Sequence, residues 1–159
     1  MGAGPKGYDA IVTPAPGEDF VLEGELTVLV TRAAEELRSD AVKARTITAK
    51  VRDHDFTTRQ ASRTVDEALE SDRGIFLVAR ELMRKLRKTR RVPVRLIGVS
   101  LSNFSDPPIK QLGLFESAAT PLETRKDRDV SRVMDKVREK FGRDAIGAGR
   151  KREPRIRGR

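Results

Sequence analysis

Leu26, Leu29, Val30, Ala33 and Leu37 recur at the spacing of one helix face, which predicts an amphipathic helix over residues 24–39. Arg32, Glu35, Glu36 and Arg38 lie off that stripe. The period then changes. Ile47, Ala49 and Val51 alternate with Thr46, Thr48, Lys50 and Arg52 across residues 45–53, which is strand periodicity. Residues 57–65, rich in Thr, read as a second strand, and Asp53-His54-Asp55 as the turn of a hairpin. Ser71 or Asp72 can cap a following helix whose apolar face is Ile75, Phe76, Ala79, Leu82, Met83 and Leu86. Residues 92–104 form a further strand with Gly98 at its middle, where glycine often marks the close approach of a backbone or ligand.

At the N-terminus, residues 1–19 are Gly- and Pro-rich, with a short strand expected at 8–13 that Pro14 stops. Pro107, Pro108 and Pro121 mark residues 105–126 as a linker. Val130, Val133, Met134, Val137 and Phe141 give an amphipathic helix over 127–142, with Gly142 as its stop. Residues 143–159 form a basic tail. The expected organisation is therefore an N-terminal extension (1–19), a domain over 20–104, the linker, the helix and the tail. The element order is β-α-β-β-α-β. It fits an α+β, ferredoxin-like sandwich: a four-stranded antiparallel-type sheet with two helices on one face and a free, polar second face.

Charge changes the picture. The chain has 159 residues and a net charge of +9. Residues 1–43 carry −4 and residues 44–159 carry +13. The excess collects between Arg84 and Arg95 and again after Gly147. Such runs can be a solvated helix face and a tail. A one-sided excess of this size favours a polyanion such as nucleic-acid phosphate. No apolar run approaches the roughly 18 residues of a membrane span, and residues 1–10 lack the apolar stretch of a signal peptide, so a cytoplasmic, nucleoid-associated protein is expected. The absence of Cys excludes disulfides, zinc ribbons, Fe–S clusters and thiol catalysis, and the single His54 excludes His-based metal clusters.

Little catalytic chemistry is visible. Asp53-His54-Asp55 has carboxylates at metal-ligand spacing but suits a turn better. Asp66-Glu67 is placed at a strand end before a helix, where carboxylates serve as caps. The outward row Thr46, Thr48, Lys50 and Arg52 offers cations and small donors to a phosphate backbone. On the second strand, Ala61 and Val65 look inward. That sends Arg59 and Arg63 inward too, unless a bulge shifts the phase; the alternation leaves both open. Residues 111–115, QLGLF, are an apolar pentapeptide in a Pro-flanked linker, suited either to a partner's pocket or to anchoring on their own domain.

Four segments together carry a family resemblance: ARTITAKVR at 44–52, DFTT at 55–58, SRT at 62–64 and VRLIGVS at 94–100. They resemble the little-finger domain of bacterial Y-family translesion polymerases of the DNA polymerase IV type. QLGLF is similar to that family's clamp-binding peptide, and DKVREKFG at 135–142 to a segment that ends some of its members. At 59–61, Arg-Gln-Ala departs from the family's β-branched, hydroxyl, basic pattern.

The resemblance implies a domain that grips primer–template duplex, damaged DNA included, without reading its sequence, and that serves translesion synthesis in DNA repair. The expected DNA-contact set is Thr46, Thr48, Lys50, Arg52, Ser62, Arg63, Thr64, Arg95, Gly98 and Ser100. The expected clamp-contact set is Gln111, Leu112, Leu114 and Phe115. The partners implied are double-stranded primer–template DNA and the sliding clamp, with no membrane. The palm that carries catalysis in the family is not found in this sequence, so the chain alone is expected to be inactive. It is expected to need no cofactor, magnesium being implied for the complete polymerase only. The alternatives are a subunit that completes a polymerase held on a separate catalytic chain, and a non-catalytic regulator that competes for DNA or clamp.

Overall fold

The computed structural model describes residues 6–11, 19–105 and 122–147, with side chains described from Leu22 onward. Residues 111–115 and most of the basic tail lie outside them. Among the described residues the elements follow in the order β1 (Lys6–Ile11), α1 (Asp19–Ser39), β2 (Lys43–Asp53), β3 (Thr58–Leu69), α2 (Asp72–Thr89), β4 (Val94–Ser105) and α3 (Arg125–Phe141). The strands form one antiparallel sheet in the order β1-β4-β2-β3. Each β-α-β unit therefore leaves a gap that a strand of the other unit fills, the split arrangement expected from the element order. The first strand begins two residues earlier than the turn residues suggested. The third runs on to Leu69, so Asp66 and Glu67 lie inside a strand and not at a helix cap.

The α1 stripe is buried as its spacing requires: Leu26, Ala33 and Leu37 are fully inaccessible, and Leu29 and Val30 nearly so. Ile75, Val78, Ala79, Leu82, Met83 and Leu86 of α2 join it. Against both helices lie Ile47, Ala49 and Val51 of β2 with Ile97, Val99 and Leu101 of β4. One sheet face thus forms the core, and the other carries no helix among the described residues. Ser71, one of the two expected caps, starts α2: its Oγ accepts from Gly74 N at 3.0 Å.

The C-terminal helix docks in a way its amphipathicity does not suggest. Its buried residues are Ser131 and Arg138. Val130, Val133 and Phe141, on the apolar stripe, are 48%, 57% and 68% exposed. The helix is held instead by charge. Arg38 of α1 donates to both carboxylate oxygens of Asp135 (2.6 and 2.7 Å), to Asp72 (2.8 Å) and to the Glu70 carbonyl (2.8 Å). Arg132 pairs with Glu70 at 2.7 Å. Burial pushes the Asp72 carboxyl up, and Arg38 opposes the shift. A capping box of Thr124 and Asp127 starts α3, and the Thr124 N–H holds the Asp127 carboxyl below its usual range.

Just before that box, Glu123 is buried and accepts from Glu70 N and from Ser71 N, the latter at 2.8 Å. It places a carboxylate where the positive end of the α2 dipole is strongest. A Cβ at residue 74 would sit 2.9 Å from Glu123 Cβ, which accounts for Gly74 inside a helix.

Candidate nucleic-acid interface

The pairing of β2 with β3 is unbroken from Thr46↔Thr64 to Arg52↔Thr58. No bulge falls between Arg59 and Arg63, which settles the phase that alternation alone left open. Thr58, Gln60, Ser62 and Thr64 lie on the face of Thr46, Thr48, Lys50 and Arg52. Arg59, Ala61 and Arg63 lie on the helix face, opposite Val51, Ala49 and Ile47.

On the β4 side, Thr46 faces Ser102, Thr48 faces Ser100, Lys50 faces Gly98 and Arg52 faces Leu96. The outer face of β2, β3 and β4 between these limits is a grid of Thr, Ser, Gln, Lys and Arg around one Leu and one Gly, with no carboxylate. Cross-strand hydroxyl pairs order it: Thr46 with Thr64 at 2.9 Å, and Thr48 with Ser62 at 2.7 Å. Arg52 Nε donates to Thr58 Oγ1 at 3.0 Å. Residues on one strand face repeat every ~6.8 Å. That is the axial advance of two phosphates along one nucleic-acid strand, ~3.4 Å each, so the Lys50 and Arg52 spacing matches every second phosphate.

Of the expected contact residues, Thr46, Thr48, Lys50, Arg52, Ser62, Thr64, Gly98 and Ser100 share this face. Arg63 does not. Its guanidinium pairs with Glu81 of α2 at 2.8 Å on the helix side, because residues of odd number on β3 point that way. Arg95 stands near the hairpin end, its guanidinium 4.3 Å from the centre of the Phe56 ring. Gly98 is buried, between Lys50 on β2 and Asp9 on β1. Thr58, Gln60 and Ser102 were not singled out from the sequence; a settled hairpin register would have found the first two, and the alternation of β4 through Gly98 and Ser100 the third.

Much of the basic run from Arg84 to Arg95 is engaged within the protein. Arg84 pairs with Glu23 at 2.7 Å. Arg87 is buried and donates to the Val92 carbonyl. Arg90 reaches Asp53 at 2.9 Å and Asp55 at 2.7 Å. Arg59 donates to both oxygens of Asp53 at 3.0 Å and also to the Leu86 carbonyl. The Arg90 hydrogen bond, helped by those from Thr57, holds the Asp55 carboxyl well below its usual range. Asp53 and Asp55 are therefore turn and core anchors. No cluster of three His, Asp or Glu side chains among the described residues is arranged to hold a metal ion. Asp53 and Asp55, held by Arg59 and Arg90, do not fit a magnesium site.

The comparisons with known proteins converge on one family. The model of the impB/mucB/samB family C-terminal domain matches residues 14–114. The chain belongs to this family. It is a little-finger domain of the Y-family DNA polymerases. A DNA polymerase IV of Dehalococcoides mccartyi (strain CBDB1) is 32% identical over 129 residues, covering 81% of this chain and 31% of the relative. The little-finger chain thus spans about a third of the length of such curated relatives. A post-insertion binary complex of Dbh DNA polymerase contains a similar fold, with a TM-score of 0.59, 20% identity, and coverage of 65% of this chain and 29% of that one. A complex of the β-clamp processivity factor with the little-finger domain of PolIV contains another. Its TM-score is 0.52 at 16% identity, covering 70% of this chain and 98% of that one. No helix among the described residues is long and apolar enough to cross a membrane.

Proposed function

We propose that this little finger grips primer–template duplex on the outer sheet face, without reading its sequence, and tethers its polymerase to the sliding clamp through residues 111–115. The observation that carries the DNA part is the unbroken β2–β3–β4 register. It gathers Lys50, Arg52 and a lattice of hydroxyls on the one face that the helices leave open. Hydroxyls and cations position a phosphate backbone, and contacts to that backbone carry no sequence information. The clamp part is supported by the QLGLF segment and by the fold shared with a little finger whose complex with a clamp is known. Translesion synthesis, repair of damaged DNA and a cytoplasmic, nucleoid-associated location follow from the same reading.

If about five phosphates are neutralised, log K for a duplex should fall with log salt at a slope of roughly −4 to −5. The double change Lys50→Ala with Arg52→Ala should weaken all sequences alike and flatten the slope by about 1 to 2. Arg63→Ala should leave the slope unchanged, because Arg63 faces α2. Fluorescence anisotropy across a salt series, on two duplexes of unrelated sequence, checks all three. Strong preference for one duplex would overturn the reading.

A further inference from the structure

The hairpin between β2 and β3 contains a bulky apolar side chain that lies outside the core. Asp53 N donates to the Thr57 carbonyl and Phe56 N to the Asp53 carbonyl, both at 2.9 Å, so the turn is tight. Its closing position has positive φ, where glycine is favoured because a Cβ crowds the following carbonyl. That position holds Phe56, at φ 67. The turn is firmly anchored around it. His54 N donates to the Pro93 carbonyl at 3.0 Å, and Arg90 spans Asp53 and Asp55. Phe56 is nonetheless 62% exposed and lies outside the core cluster. A bulky residue is thus held in a strained backbone with its ring largely in water. Strain of this kind gathers at binding sites.

One contact orders the ring: the Arg95 guanidinium lies over it, 4.3 Å from its centre. An aromatic ring backed by a guanidinium, with most of its surface free, is a platform for a flat π-partner. The partner's nature is set by what lies beside it. Arg52 and Thr58, which flank the hairpin on its two strands, are the last pair of the outer-face grid. The platform therefore stands at the end of the surface assigned above to duplex DNA. We propose that Phe56, backed by Arg95, stacks on an unpaired nucleobase where the strand leaves the duplex. This inference rests on the duplex-gripping reading and adds a single-strand contact to it.

The test compares three labelled DNAs at one salt concentration: a blunt duplex, the same duplex with a template overhang, and the same overhang made abasic. The last two carry equal phosphate charge and differ only in bases. The unmodified protein should bind the base-bearing overhang about 5- to 10-fold more tightly than the abasic one. Phe56→Gly should abolish that preference. It should leave blunt-duplex affinity unchanged and Tm unchanged or raised, since glycine relieves the strain. Phe56→Trp should keep the preference. Equal binding of the two overhangs, or a preference that survives in Phe56→Gly, would overturn the inference. So would a fall of several degrees in Tm for Phe56→Gly, which would make the ring structural. The duplex reading fails separately, if blunt-duplex binding is indifferent to Lys50→Ala with Arg52→Ala.

Discussion

Asp53→Ala should destabilise the domain by about 3–5 kcal/mol, the range for removing one partner of a buried ion pair. The Asp53 side chain is fully inaccessible and accepts from Arg59 at both oxygens and from Arg90 at one. Arg59, only 16% exposed, cannot turn to water without leaving the Leu86 and Arg90 carbonyls at the end of α2. The loss of one carboxylate would therefore strand a cation and loosen the hairpin, the end of α2 and the start of β4 together. Urea unfolding measures the effect. Adding Arg59→Leu to the variant should recover part of it, because the stranded charge is gone. A cost under about 1 kcal/mol for the single change would show that the pairs stay solvated.

The second large effect concerns the clamp peptide. Leu114→Ala with Phe115→Ala should lower affinity for an immobilised sliding clamp by at least about 100-fold. Burying each of the two side chains contributes ~1.5–3 kcal/mol, and ~1.4 kcal/mol is a factor of ten. In the proposed docking Gln111 would supply a donor and an acceptor to fix the register, Gly113 would add no side chain that could clash, and Leu112 would complete the apolar set. DNA binding and Tm should be unaffected. A loss of several degrees in Tm would place the peptide in this domain's own core and contradict the clamp assignment.

The core was legible from periodicity because it is built from elements with one apolar face. The α1 stripe and the alternation of β2 both predict what is buried. The outer face was half legible. The row from Thr46 to Arg52 follows from β2 alone, but β3 is an edge strand with little burial to mark its phase, and Arg59 and Arg63 obscured it further. The family resemblance of the SRT segment implies Arg63 among the DNA contacts together with Ser62 and Thr64, yet in a strand adjacent residues oppose each other.

The docking of α3 ran against the usual rule. Its apolar stripe is largely exposed, whereas Arg38, Glu70 and the Asp72 N–H, contributed by distant segments, capture its polar side through Asp135, Arg132 and Ser131. Glu123 was invisible for the same reason. A single carboxylate in a linker carries no periodic signal, and its partners are backbone N–H groups more than 50 residues away. Composition overstated the free charge for a related cause: Arg84, Arg87 and Arg90 look available in the sequence and are engaged in the fold.

DNA is expected to lie on the outer face of the β2–β3–β4 sheet. Titrating duplex DNA into the isotopically labelled chain, with amide shifts followed by NMR, tests it most directly. The expected result is a continuous patch of shifted resonances over Thr46, Thr48, Lys50, Arg52, Thr58, Gln60, Ser62, Thr64, Ser100 and Ser102, with the α2 residues facing Arg63 unmoved. Shifts confined to α2 and α3, with the outer face silent, would contradict it.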